Sequence, residues 1–426
     1  MTLAEPLVFN PLDPNFRVNP YPLYRRLLSE APVFQTAFGV PAFSRYEDCI
    51  TILKDHKHFT SDDRKSPFYG VQREAFTTAL GEFADQIDEN ERPFLFLDPP
   101  DHTRLRRLVN LAFTPRAIEA LRPRIQQIVD ELLDAVQARP VHPEEPGADR
   151  GESRRMEVID DLAYPLPVQV ICEMLGVPKE DHPEFRGWSQ VLVKSLDPDI
   201  AVTPVELQAR FKAIVESREY FRKLIAERRR DPRDDILSAL IAAEEEGDKL
   251  SEPELISISR LILIAGHETT VNLIGNGVLQ LLRHPDQLAK FAADPSLARG
   301  VVEETLRCDP PVQFDGRLCI ESTEVAGARI EAGTFVLMLL GAANRDPAKF
   351  DDPETYDITR NDDRHLAFGY GIHFCLGAPL ARVEGEIALR TLTQRFKNLR
   401  LLADPPPYKE MITLRGLESL PVSFDS

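Results

Sequence analysis

One stretch near the C-terminus admits few backbone paths: Phe368-Gly369-Tyr370-Gly371-Ile372-His373-Phe374-Cys375-Leu376-Gly377. Three glycines around a single cysteine let the chain turn tightly and approach closely whatever the sulfur faces, in conformations a Cβ would forbid. Phe368 supplies an apolar wall on the sulfur side. The run that follows, Ala378-Pro379-Leu380-Ala381-Arg382-Val383-Glu384, reads as a helix start, and a helix N-terminus favours an anionic sulfur. A thiolate that is shielded from bulk water and aimed by a tight turn is what a haem iron requires of its ligand. Cys375 is therefore the candidate metal ligand. The plainer alternative, a buried free cysteine in a glycine-rich turn, is common and stands beside this reading on the residues alone.

The other four cysteines, Cys49, Cys172, Cys308 and Cys319, are scattered and form no Cys-x-x-Cys pair, which argues against a disulfide framework, a zinc site or an iron–sulfur site. With 426 residues the chain can bury a sizeable core. Its net charge of −18 argues against general nucleic-acid binding. No charged, then apolar, leader opens the sequence and no charge-free run reaches membrane-spanning length, so a cytoplasmic protein without a membrane span is expected. Helical periodicity covers 118–136, 205–226 and 254–282, whereas strand-like runs are short: 32–36 with 40–44, and 318–340 with turns at Gly327 and Gly333. The expected fold class is mainly α with a minor β region. Residues 138–155, rich in Pro, Gly and charge, read as a mobile surface loop within a single domain spanning 1–426.

Within the longest periodic segment lies Ala265-Gly266-His267-Glu268-Thr269-Thr270. Ser251 and Glu254 form a capping box at its start. Gly266 is costly in mid-helix and the two threonines are poor helix formers. That mixture suits a helix whose backbone something must approach, or whose ladder a hydroxyl opens; a packing glycine beside two solvent-facing threonines is the alternative. His267-Glu268 lacks the second histidine of a zinc-protease motif, since position 271 is Val. Glu304 and Arg307 stand one helical turn apart, and His102 and Arg106 share a helix face four residues apart.

Taken together, the cysteine loop, the Ala-Gly-His-Glu-Thr-Thr segment and the Glu-x-x-Arg pair resemble the cytochrome P-450 superfamily, from Asp13-Pro14 through Leu414-Arg415-Gly416-Leu417. The resemblance implies a triangular-prism fold and haem b with Cys375 as axial thiolate. Thr269 then orders oxygen and water, Glu268 relays protons and Gly266 makes space over the iron. Glu304 and Arg307 are structural; His102, Arg106, Arg317 and His373 hold the haem propionates, with Phe368 and Gly377 completing the haem-binding loop. The family often has an arginine where this chain has Thr355, leaving Arg360 and His365 as candidate replacements. The reaction implied is insertion of one oxygen atom from O2 into a lipophilic small molecule of macrolide, terpenoid or steroid type. Electrons then come from a ferredoxin and an NAD(P)H-dependent reductase. Arg104, Arg107, Arg116, Arg122 and Arg124 form a basic island, read as its docking patch. The pocket is expected from 66–93, 190–203, 261–265, 312–314 and 411–413. A peroxide-dependent haem-thiolate enzyme and a non-catalytic haem-thiolate sensor are the alternatives, and neither needs the Glu268–Thr269 pair.

Overall fold

A computed structural model describes residues 7–81, 86, 88–140, 153–197, 203–245, 247–360 and 362–425. The helices that build the site are α1 (Tyr21–Glu30), α2 (Asp101–Ala112), α3 (Arg122–Gln137), α4 (Pro165–Met174), α5 (His182–Leu192), α6 (Pro204–Arg230), α7 (Glu252–Arg283), α8 (Ala298–Cys308) and α9 (Ala378–Arg395). The strands of the two larger sheets are β1 (Val33–Gln35), β2 (Pro41–Phe43), β3 (Phe59–Thr60), β4 (Ser153–Glu157), β5 (Asp315–Cys319), β6 (Phe335–Met338), β7 (Arg400–Leu401) and β8 (Pro421–Asp425).

Helix α7 is the spine of the molecule. Its 32 residues extend about 48 Å at the usual rise per residue. The capping box forms as expected, the Glu254 carboxylate accepting from the Ser251 N–H at 2.8 Å, and the helix stops at His284-Pro285. Between these ends, residues on every face are buried, the pattern of a helix enclosed by others rather than one lying on a surface. Helices α4, α6, α8 and α9 pack around it. The periodic run 118–136 falls mainly in α3, preceded by a short helix, Pro115–Ala120.

The β region is small and one-sided. β1 and β2 pair antiparallel with Val33 opposite Phe43, and the sheet runs in the order β1-β2-β6-β5-β3. Gly327 and Gly333 take the positive φ their turns require. A second sheet has the order β7-β8-β4. Here the structure corrects the loop expected at 138–155: Ser153 to Arg155 belong to β4, which pairs with β8 from Ser153 opposite Asp425 to Glu157 opposite Pro421. Residues 141–152 lie outside the described residues. Among the described residues no helix is long and apolar enough to cross a membrane.

One buried ionic cluster ties the segment before α2 to the spine. The Glu91 carboxylate forms an ion pair with Arg218 of α6 at 2.6 Å and accepts from Arg260 of α7 at 3.1 Å, and all three side chains are buried. Without the carboxylate, two buried guanidinium groups would face each other. Glu91→Gln is therefore expected to cost about 3 kcal/mol, read as a lowered urea midpoint; an unchanged midpoint would show that water reaches the cluster.

Candidate functional site

The cysteine loop is held at both ends by backbone geometry. Asn344 Oδ1 accepts from the Leu366 N–H at 2.6 Å, and the Cys375 N–H bonds the Phe368 carbonyl at 2.9 Å, closing the turn. Gly369 and Gly371 have φ of +70° and +71°, and a Cβ on Gly371 would lie 2.7 Å from the Leu53 carbonyl oxygen, so both positions need glycine. Gly377 is different: with φ −80° it sits in the ordinary helical region as the N-cap of α9. Its contribution is its N–H, which with that of Ala378 bonds the Cys375 sulfur. Burial pushes the thiol upward, and these two N–H groups and the Arg106 guanidinium pull in the opposite direction. Phe368 stacks under the Arg382 guanidinium, 4.6 Å from the ring centre, and its ring lies 6.3 Å from that of Phe374.

The structure brings the four expected anion-binding residues together beside this loop. The rings of His102 and His373 lie 4.4 Å apart. Arg106 donates to the Phe374 carbonyl at 2.7 Å, and Arg317, on β5, lines one cleft with His373 and donates to Asp315 at 2.8 Å. Desolvation, then Arg106, lowers the His102 pKa to about 4; desolvation, then Arg317 and His102, lowers that of His373 to about 3. Both rings are therefore neutral at physiological pH. Neither ring nitrogen of His102 has a partner, nor does Nδ1 of His373, although all three are buried. Orphaned buried nitrogens cost on the order of 1–3 kcal/mol each, a cost that acceptor oxygens of a bound group remove. Two arginines and two neutral histidines beside an inward-facing thiol match a thiolate-ligated haem with two carboxylate side arms.

At the middle of α7, Thr269 Oγ1 donates to the Ala265 carbonyl at 2.6 Å and Thr270 Oγ1 to that of Gly266 at 3.1 Å. Both hydroxyls thus bond back into the helix. The expected role of Gly266 requires correction. A Cβ there would meet Ile171 of α4 at 2.7 Å, so its bare face lets α4 and α7 close together in the core. Ala265 is the residue exposed at mid-helix, one position earlier, and it borders the open space. His267 is buried, pairs Nδ1 with Ser189 of α5 at 2.7 Å and meets the Tyr164 ring edge-on at 4.5 Å. Glu268 is buried in an ion pair with Lys409, which also reaches Asn272 at 3.2 Å. Nothing in the sequence pattern linked Lys409 to the helix.

Glu304 and Arg307 are fully buried, joined by two bonds of 2.7 and 2.8 Å. Arg307 also donates to the carbonyls of Asn344 (3.1 Å), Pro353 (2.8 Å) and Thr355 (2.9 Å). Of the two candidate replacements for an arginine at 355, Arg360 takes the place, reaching Glu304 at 3.2 Å. His365 instead joins Arg382 on Glu303, at 2.9 and 2.6 Å.

The basic island is mostly neutralised within the fold. Arg104 pairs with Asp248 and Glu254, Arg122 with Glu119 and Glu386, and Arg124 with Glu173. Four of the five expected pocket segments meet: Val193, Leu196, Ile264, Val312 and Met411 form one apolar cluster with Leu414, to which no described residue of 66–93 belongs, and Asp197 accepts the N–H groups of Ile412 and Thr413. Residues 82–85, 87 and 198–202 of the expected walls lie outside the described residues.

Comparison with known proteins agrees with this geometry. The family model "Cytochrome P450" matches residues 70–419. A cytochrome P450 of Priestia megaterium, CYP107DY1, is 45% identical over 89% of this chain and 88% of its own length. The 6-deoxyerythronolide B hydroxylase of Saccharopolyspora erythraea is 41% identical over 96% of this chain and 97% of its own. Among solved structures, P450BioI in complex with acyl carrier protein ligated to hexadec-9Z-enoic acid superposes with a TM-score of 0.84 at 38% identity, covering 97% of this chain and 99% of that one.

Proposed function

This chain belongs to the cytochrome P450 family of haem-thiolate monooxygenases, and from that premise we propose that it oxygenates a lipophilic small molecule at a haem held by Cys375. The observation that carries this reading is the cradle of His102, Arg106, Arg317 and His373 beside the Cys375 loop, with buried ring nitrogens of His102 and His373 that have no hydrogen-bond partner. In this reading residues 1–426 act as one catalytic domain. When bound, a haem held by the Cys375 thiolate would supply the activation of dioxygen.

The chain's own residues do the rest. The N–H groups of Gly377 and Ala378 spread charge away from the Cys375 sulfur, and Phe368 keeps water from it. Thr269, with its proton committed to the Ala265 carbonyl, presents oxygen lone pairs to the space beside Ala265 and orders water there. Glu268, the next residue, passes protons to that water. Val193, Leu196, Ile264, Val312, Met411 and Leu414 offer an apolar face to the substrate, which fits a lipophilic molecule. One relative is named for hydroxylating 6-deoxyerythronolide B, and a macrolide, terpenoid or steroid-like substrate is the class favoured here. Electrons come from a separate ferredoxin and its NAD(P)H-dependent reductase.

The direct test is turnover of a lipophilic compound library with a ferredoxin, its reductase and NAD(P)H, reading a product heavier by one oxygen atom that carries the isotope under labelled dioxygen. Label in product supports the reading. Label absent from every product, with peroxide alone supporting turnover, would move the enzyme to the peroxide-dependent class. Thr269→Ala is expected to bind substrate normally but lower product per NAD(P)H by about tenfold, with hydrogen peroxide making up the difference. Unchanged coupling in that variant would remove Thr269 from the mechanism.

A further inference from the structure

Glu268 occupies a setting that the proton-relay reading alone does not explain. Its carboxylate is buried, yet it is ion-paired to a lysine from the far end of the chain. Lys409 belongs to a hairpin spanning 407–418. The Lys409 N–H bonds the Gly416 carbonyl at 3.0 Å, the Glu418 N–H bonds the Pro407 carbonyl at 2.9 Å, and Tyr408 bridges Leu417. The tip of this hairpin carries Met411 and Leu414 into the apolar wall of the pocket, while Asp197 pins the Ile412 and Thr413 N–H groups at 3.0 and 2.7 Å. One short element therefore touches the substrate wall at its tip and the relay carboxylate near its base.

The approach of this hairpin to α7 is built in. A Cβ on Gly416 would lie 1.8 Å from Asn272 Oδ1, the same oxygen that accepts from Lys409 at 3.2 Å. Glycine at 416 lets the hairpin backbone rest on Asn272, one helical turn from Glu268, and only at that distance does Lys409 reach the carboxylate. The cation is well placed to supply water as well, because about a fifth of the Lys409 side chain is solvent-exposed (19%) while that of Glu268 is 6% exposed. The other charged and titratable groups nearby are His267 on α7, neutral because its pKa falls to about 3, and the Tyr164–Arg186 pair, whose guanidinium stacks 4.4 Å from the ring centre. Among the described residues it is Lys409 that holds the Glu268 carboxylate in an ion pair.

We propose that Lys409 is the positioning residue of the proton relay: it holds Glu268 between the solvent-touching base of the 407–418 hairpin and the Thr269 side of α7. Lys409 keeps its own charge throughout. A proton from water at its ammonium group reaches the Glu268 carboxylate, and the carboxylate passes it to water ordered by Thr269, so Glu268 returns to its starting state after each transfer. This inference rests on the relay role proposed above for Glu268, and its test separates the two.

The experiment compares Lys409→Met, Lys409→Arg, Glu268→Gln, the Lys409→Met/Glu268→Gln double variant and Gly416→Ala in the full-length protein. Lys409→Met is expected to lower product per NAD(P)H by about tenfold and raise the solvent deuterium isotope effect, with the substrate dissociation constant unchanged. Lys409→Arg restores coupling, and the double variant is no worse than Glu268→Gln. Gly416→Ala, which lifts the hairpin from Asn272 with Lys409 intact, reproduces the loss of coupling and the isotope effect of Lys409→Met. A second readout is independent of turnover. Lys409→Met leaves a buried carboxylate without its cation, so a protonated-carboxyl stretch is expected in its infrared spectrum at neutral pH, absent from Lys409→Arg and from the double variant. Full coupling in Lys409→Met while Glu268→Gln is uncoupled overturns the role of Lys409 alone. Full coupling in Glu268→Gln overturns the relay, and this inference with it.

Discussion

Cys375→Ser is expected to yield a protein whose reduced, carbon-monoxide-bound spectrum lacks the strongly red-shifted Soret band and which oxygenates no substrate. The loop is shaped around sulfur: the Gly377 and Ala378 N–H groups converge on it, and Arg106, bonded to the Phe374 carbonyl, adds positive charge. A serine hydroxyl at the same place is a smaller, harder donor that stays protonated at neutral pH, so it neither binds iron tightly nor releases charge toward bound oxygen. The histidine–arginine cradle is untouched by the substitution, and haem is therefore expected to remain in part, in an environment without the thiolate signature. That combination is diagnostic. Loss of haem together with loss of fold would place the damage in the loop's geometry, and retention of the red-shifted band would assign the ligand elsewhere.

What could be read in the residues alone was whatever is local in the chain. The Ser251–Glu254 capping box, the hairpin at 32–44 and the turn at Cys375 each follow from residues within about ten positions, where backbone preference and short-range bonds decide the outcome. The failures share the opposite property. Lys409 reaches Glu268 across 141 positions, and no spacing rule connects them. The carboxylates that pair Arg104, Arg122 and Arg124 of the basic island, Asp248, Glu254, Glu386 and Glu173, come from elements distant in the chain. Gly266 was placed on the wrong face of α7 because adjacent helical residues point about 100° apart, and only the contact with Ile171 shows which of Ala265 and Gly266 borders the open space. Strand β4 was missed because its partner, β8, lies at the other end of the chain.

Arg307→Ala is expected to be the most damaging substitution outside the cysteine loop: little folded protein, and little haem in what remains. The guanidinium is buried, and its donors satisfy Glu304 twice and three backbone carbonyls that precede the cysteine loop. Burial works against its charge, but the paired carboxylate of Glu304 more than offsets this and holds the group firmly ionised. Removing it leaves a buried carboxylate and the Asn344, Pro353 and Thr355 carbonyls short of a donor, a loss of about 3–5 kcal/mol, a large share of the stability of an ordinary domain. Arg307→Lys does little better, since an ammonium cannot match the planar fork that spans Glu304 and the carbonyls. Arg360→Gln supplies the contrast. That side chain reaches Glu304 from the edge of the network, so its loss is expected to cost about 1 kcal/mol, with haem content near normal. Urea midpoints and the haem-to-protein ratio of the three variants check this ordering. Because Asn344 Oδ1 also bonds Leu366 at the entry to the cysteine loop, a fall in haem content that tracks the midpoint would show that the network acts on the haem through the fold, and a haem loss at unchanged midpoint would show that it acts on the loop directly.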